Sequence, residues 1–204
     1  MKPDFLVHIV DDDDAVRDAL LELLDSVGLD AMGFGSANAF LRVFNPTMAG
    51  CIVLDIRMPG MNGLDLQKKL KELGSALPII FLTGHGDVPM AVQAIKNGAL
   101  EFIQKPFRDQ ELLDCIQSAM HGAKQSYDQL AEKKQIRGRL DSLTDREREA
   151  LELVSEGHPN KVIASKMGIS QRTVENHRAH LLEKLEARST AALIKLLVLA
   201  NSTS

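Results

Sequence analysis

Apolar residues in the first 121 positions gather in short dense runs, separated by longer amphipathic stretches. The runs are FLVHIV (5–10), LDAMGF (29–34), CIVLDI (51–56), PIIFLT (78–83) and LEFIQK (100–105). Most are nearly continuous in apolar character, the pattern of strands covered on both faces. Between them the spacing is helical. Val16, Leu20, Leu23, Leu24 and Val27 follow a period of about 3.6 residues, as do Leu64, Leu66, Leu70 and Leu73. Each connection is long enough for a helical crossover, so five βα units in succession predict a five-stranded parallel sheet with helices on both faces.

The pattern then changes. Residues 122–141, GAKQSYDQLAEKKQIRGRLD, are polar and contain no proline. Lys, Gln, Ala and Glu favour helix, so this linker is expected to continue the preceding helix, with a break near Gly138. From Leu143 onward only helical patterns occur. LTDREREALELVSEG (143–157) places Glu147 three residues after Thr144, a capping box, and Gly157 closes the helix. Gly168 separates two further helical patterns, and Ser170 is placed to cap the second. Two helices joined by a short glycine turn suggest a helix-turn-helix. The expected division is 1–121, a linker 122–141 and an all-α domain 142–204.

Composition excludes some classes. The chain is 204 residues long, 45% hydrophobic and 25% charged, ordinary values for a globular protein. No apolar run of about eighteen residues occurs, so no membrane helix is expected. MKPDFLVHIVDDDD lacks the basic and apolar regions of a signal peptide, which implies a cytoplasmic protein. Cys51 and Cys115 each lie within an apolar pattern and read as reduced core residues. The net charge of −4 conceals an asymmetry. Residues 135–204 carry 11 Lys and Arg against 9 Asp and Glu, a balance of +2, leaving −6 for the rest. The smaller part is the better suited to a polyanion.

Ligands of open parallel sheets bind at the carboxyl ends of the strands. There the first strand ends in Asp11 and Asp12, the third carries Asp55, the fourth ends at Thr83, and the fifth ends at Lys105 before Pro106. Three carboxylates at one edge repel unless a cation neutralises them, and Mg²⁺ takes oxygen ligands of this kind. A hydroxyl at Thr83 and a positive charge at Lys105 suit an anionic group on or beside an aspartate, such as a phosphoryl. Asp13 or Asp14 is placed to cap the following helix. His85 stands beside the site, but no second ligand at metal spacing accompanies it. The chain has no GxxxxGK[ST] loop and no Gly-rich kinase loop. Arg57, two residues after Asp55, departs from the DxDx[TV] of aspartate-dependent phosphatases. These departures favour a phospho-switch over a turnover enzyme.

Asp11-Asp12, LDIRMPGMNG around Asp55, LTGHGD around Thr83 and FIQKPF around Lys105 resemble the receiver domain of bacterial response regulators. The resemblance covers about residues 1–121. It implies a flavodoxin-like fold with strand order 2-1-3-4-5 and Asp55 as phosphoacceptor. It implies Mg²⁺ on Asp11, Asp12, Asp55 and the Arg57 backbone carbonyl. Thr83 and Lys105 would contact the phosphoryl group, Thr83 and Phe102 would form the switch, and the Lys105-Pro106 peptide would be cis.

LTDREREAL, NKVIASKMGIS and TVENHRAHLLEKL resemble the LuxR-type (NarL/FixJ-type) four-helix DNA-binding domain over about residues 140–204. This resemblance implies a recognition helix at about 171–185. Glu175, Asn176 and Ala179 would face the major groove, with Lys161, Arg172, Thr173, Arg178 and Lys184 on phosphates. Val174 and Leu181 would be core, His177 would pack or touch the backbone, and the last helix, 191–199, would pair with a second copy. GHGDVPMA and QKPF resemble the FixJ subgroup, and within it regulators of aromatic-hydrocarbon catabolism. The implied partners are a sensor histidine kinase, double-stranded promoter DNA, RNA polymerase and, on phosphorylation, a second copy of the chain; no membrane is implied. The alternative is a phosphorylation-independent DNA-binding regulator with a vestigial receiver. A relay module without DNA contact is a third class.

Overall fold

The computed structural model describes residues 4–84 and 88–201. His85 and the end of the LTGHGD motif lie outside the described residues. The chain divides into two compact units, Met1–Tyr127 and Asp128–Ser204.

The first unit alternates strand and helix: β1 (Phe5–Val10), α1 (Asp14–Ser26), β2 (Ala31–Phe34), α2 (Ala37–Val43), β3 (Ala49–Leu54), α3 (Gly63–Glu72), β4 (Ile79–Thr83), α4 (Val88–Lys96), β5 (Glu101–Gln104) and the start of α5 (Asp109–Asp141). The strands form one parallel sheet in the order β2-β1-β3-β4-β5, as expected. Alternation along each strand sorts the core into two layers. Val7 and Ile9, Cys51 and Val53, and Ile80 and Leu82 pack with Leu20 and Leu24 of α1 and Leu112 and Ile116 of α5. Val10, Ile52, Leu54, Ile79 and Phe81 face the other way, onto Phe40 of α2, Leu66 and Leu70 of α3 and Ala94 of α4. Each fully buried side chain of this size contributes roughly 1.5–3 kcal/mol.

β3 departs from the sequence expectation. The apolar run suggested 51–56, but the strand starts at Ala49, whose ladder partner is Phe5, and ends at Leu54. Asp55 therefore falls just past the strand. Two polar side chains, His8 and Gln67, are buried in the second layer. The His8 ring packs on Phe34 and Phe40 at centroid separations of 6.2 and 5.5 Å, and neither ring nitrogen has a hydrogen-bond partner of good geometry among the described residues. Burial lowers its pKa, partly opposed by the Ala49 backbone.

α5 runs unbroken through 122–141, and the break expected near Gly138 comes instead after Asp141. The last turns of the helix are held within the second unit. The Arg137 guanidinium donates to the Ala200 carbonyl at 3.1 and 3.3 Å, and Arg139 pairs with Glu186 at 2.7 Å. These contacts outweigh the weak helix propensity of one glycine. The rest of the unit comprises α6 (Asp145–Ser155), α7 (Asn160–Met167), α8 (Gln171–Lys184) and α9 (Thr190–Asn201). Leu143, Leu151, Val154, Ile163, Met167, Val174, Leu181, Leu185 and Leu193 form its core. Thr144 and Glu147 make the capping box, Ser170 caps α8, and Gly168 ends α7 at φ 66° in the left-handed region. Both cysteines are free thiols. Burial pushes the Cys51 thiol up to about 12.

Candidate functional site

Strand register brings the acidic residues together. Val10 pairs with Leu54 at the ends of β1 and β3, so the next residues, Asp11 and Asp55, leave the sheet side by side. The Asp55 amide donates to the Val10 carbonyl at 2.8 Å. On the other side Thr83 pairs with Gln104, and the Lys105 amide donates to the Thr83 carbonyl at 2.8 Å. The peptide that follows, Lys105-Pro106, is cis.

The Lys105 ammonium lies between the two carboxylates. It donates to Asp11 Oδ2 at 2.7 Å and stands 3.5 Å from Asp55 Oδ1. Asp11 Oδ1 accepts the Asp13 amide at 2.9 Å, and Asp55 Oδ2 accepts the Arg57 amide at 2.7 Å. Asp55 is only 7% exposed. Burial holds its carboxyl above the usual carboxylate range; Lys105 opposes that shift and the charge of Asp11 adds to it. Thr83 is buried as well, and its hydroxyl has no hydrogen-bond partner among the described residues. A buried hydroxyl left unsatisfied costs about 1–3 kcal/mol.

The loop after β1 divides its four aspartates by task. Asp11 faces the site, Asp12 is exposed, and Asp13 caps α1 by accepting the Ala15 and Val16 amides at 2.9 and 3.4 Å. Asp14 pairs with Arg17. Arg17, not singled out from the sequence, also donates to the Asp11 carbonyl at 2.8 Å and so fixes the loop. Gly63 supports Asp55 from the other side, since a Cβ there would lie 2.3 Å from the Asp55 carbonyl oxygen. Phe102 is half-buried against the layer that contains Phe81.

The donors are hard oxygens, which suit Mg²⁺. Among the described residues no three carboxylate, imidazole or thiol groups stand together at metal-binding separation. Two buried carboxylates, Asp11 and Asp55, stand side by side with a single ammonium between them, and hard oxygen donors of this kind fit the ion in chemistry.

On α8, Arg172, Glu175, Asn176 and Ala179 are exposed, Thr173 is half-buried, and Val174 and Leu181 are core. Lys161 is exposed on α7. Arg178 and Lys184, both expected on phosphates, also bond inside the unit. Arg178 donates to Asn160 Oδ1 at 3.1 Å and to Thr190 Oγ1 at 2.9 Å. Lys184 donates to Glu147 Oε2 at 2.7 Å. Glu147 is buried and is also the capping-box acceptor of the Thr144 amide and hydroxyl, at 2.9 and 3.0 Å. The Lys184 hydrogen bond, aided by those from Thr144, holds the Glu147 carboxyl down at about 2. The sequence carried one sign of this role: Glu147 falls at i−4 and i−7 from Leu151 and Val154, on the buried face of α6.

Comparison with known proteins agrees with both halves. Residues 7–117 match the response regulator receiver domain, and residues 141–197 match the bacterial regulatory proteins of the luxR family. The chain belongs to the response regulators. The response regulator protein TodT of Pseudomonas putida is 44% identical over 190 residues, 93% of this chain and 84% of that protein. The transcriptional regulatory protein FixJ of Bradyrhizobium diazoefficiens is 43% identical over 190 residues, 93% of each chain. The solved structure of the response regulator StyR superposes with a TM-score of 0.87 at 42% identity, covering 97% of this chain and 98% of that one.

A receiver and a LuxR-type DNA-binding domain in one chain are the parts of a two-component transcription regulator. The receiver implies a kinase as partner, and the second domain implies DNA. Receiver domains bind Mg²⁺ at their phosphorylation site. No helix among the described residues of this response regulator is long and apolar enough to cross a membrane.

Proposed function

We propose that in the cytoplasm Asp55 accepts a phosphoryl group from a sensor histidine kinase, and that this drives receiver dimerisation and promoter binding. In the transfer the kinase's P–N bond breaks and a P–O bond forms on the Asp55 carboxylate. The observation that carries the reading is the set of three groups at one sheet edge: Asp55, the Lys105 ammonium 3.5 Å away, and the unpartnered Thr83 hydroxyl. Asp11, Asp12, Asp55 and the Arg57 carbonyl would hold Mg²⁺. When bound, Mg²⁺ supplies positive charge to the phosphoryl oxygens.

The chain's own residues then respond. A phosphoryl group adds negative charge and three acceptor oxygens. The Lys105 ammonium shifts from Asp11 toward those oxygens, and the Thr83 hydroxyl gains the partner it lacks. Phe102 moves inward in its wake, and the face built from α4, β5 and the start of α5 is remodelled. Two receivers pair on that face and bring two copies of α8 to a two-fold operator, with half-sites spaced about one helical turn apart. Glu175, Asn176 and Ala179 read the major groove, and Lys161, Arg172 and Thr173 contact phosphates. Ile194 and Val198, exposed on α9, form a second contact between copies. RNA polymerase is the final partner.

The test is light scattering on the full chain with Mg²⁺ and acetyl phosphate, followed by a salt-titrated gel shift. Wild type is expected to dimerise on donor addition and Asp55→Asn to stay monomeric. Equal dimerisation of the two would rule the mechanism out.

A further inference from the structure

We infer that Arg178 and Lys184 are positioning residues, which lock the recognition helix onto its own domain, and that neither holds a DNA phosphate. The inference rests on the DNA-binding reading of α8. Helical periodicity separates two stripes on that helix. Arg172, Glu175, Asn176 and Ala179 follow i, i+3, i+4, i+7 and are all exposed. Val174, Leu181 and Leu185 follow i, i+7, i+11 and are buried. Arg178 lies at i+4 of that second stripe, and Lys184 flanks it three residues after Leu181.

The contacts match the periodicity. The Arg178 guanidinium joins Asn160, the first residue of α7, to Thr190, the first residue of α9. Three helices thus meet at one planar group, whose forked donors fix direction as well as distance. The Lys184 ammonium ties the last turn of α8 to Glu147 in the first turn of α6. The Glu147 side chain is 8% exposed. Turning Lys184 toward a phosphate would strip a shielded carboxylate of its counter-charge, which disfavours the move. The two ties hold α8 near its middle and at its end. The exposed stripe is thereby presented at a set angle, and contact with phosphates is left to Arg172, Lys161 and Thr173.

Counterion release distinguishes the two roles. Each phosphate contact adds about 0.9 to the slope of log affinity against log salt. The full chain, treated with acetyl phosphate and Mg²⁺, is titrated onto a short fluorescein-labelled random-sequence duplex across a salt series. Arg172→Met and Lys161→Met are expected to lower the slope by about 0.9 each. Lys184→Met and Arg178→Gln are expected to weaken binding by the same factor at every salt concentration and leave the slope unchanged. Thermal melts of Lys184→Met, Glu147→Gln and the double variant are expected to show coupling between the two positions. Where Lys184→Met alone is too unstable to titrate, the slope is read on the double variant, whose residue 147 needs no counter-charge. A slope lowered by about 0.9 in Lys184→Met or Arg178→Gln, or additive melts, would overturn the inference while leaving DNA binding intact. Failure of the wild type to bind at any salt concentration would overturn the DNA-binding reading itself, and the inference with it.

Discussion

The acidic edge of the receiver and the inner side of the recognition helix both gather charged groups from distant parts of the chain, yet they differ in how far those groups are satisfied. On the inner side of α8 the charged groups are paired: Glu147 with Lys184 and Thr144, Arg178 with Asn160 and Thr190. At the receiver edge one ammonium serves two buried carboxylates, Asp55 is held above its ordinary range, and Thr83 has no partner. A satisfied network holds one conformation. An unsatisfied one lowers the free energy of whatever ligand completes it, at the expense of the unliganded state. On the proposed function, the difference makes the first unit the moving part and the second the rigid reading surface.

The largest expected effect lies on the rigid side. Lys184→Ala should destabilise the DNA-binding unit by about 2 kcal/mol, less than the ~3–5 of a fully buried pair because Lys184 itself meets water. Chemical denaturation of the full chain, read as two transitions, checks this, and an unchanged second transition would break the contrast. On the receiver side the sign should reverse. Asp55→Asn removes a carboxylate whose ionisation the fold disfavours, and should stabilise the receiver by about 1 kcal/mol at neutral pH. The raised folded pKa means that the folded wild type holds its proton more tightly than the unfolded chain. Wild-type stability therefore falls as pH rises from the ordinary value of 3.8 through the folded one. The advantage of the Asn variant should be full above that window and absent below it.

Thr83→Ala should leave the resting receiver within about 1 kcal/mol of wild type, or slightly more stable, because the hydroxyl it removes is unpaired. The same variant should dimerise more weakly after acetyl phosphate treatment, which light scattering would register. A smaller contrast is acid sensitivity. Burial sets the His8 pKa below 6.5, so the unfolded chain binds its proton first, and receiver stability declines as pH drops below that value toward the folded one. Glu147 is depressed to about 2, so its contribution is complete above 4.5 and lost only as pH falls through about 2. Melts at decreasing pH in the Asp55→Asn background, which lacks the opposing trend of Asp55, should show the receiver weakening first, and His8→Leu should flatten its response.

Much of this was legible in the sequence. Strands with two covered faces announce themselves as apolar runs, and the residues at their ends converge by topology, which makes Asp11, Asp55, Thr83 and Lys105 legible as one group. Boundaries were less legible. Ala49 and Gly50 join β3 through pairing with Phe5 and Leu6, not through hydropathy. Gly138 stays helical because Arg137 and Arg139 anchor the turns around it. Least legible was the use of each charge. Lys184 and Glu147 are 37 positions apart, and nothing local distinguishes a lysine meant for a phosphate from one meant for a buried glutamate. The missing partner of Thr83 is likewise a property of packing and not of spacing.

The most direct test of the central claim, that Asp55 is the group the unsatisfied site is built around, is intact mass after incubation with Mg²⁺ and acetyl phosphate. Wild type is predicted to gain a single phosphoryl adduct and Asp55→Asn none. An adduct on both, or on neither while DNA binding persists, would contradict the account and point to regulation that does not pass through this aspartate.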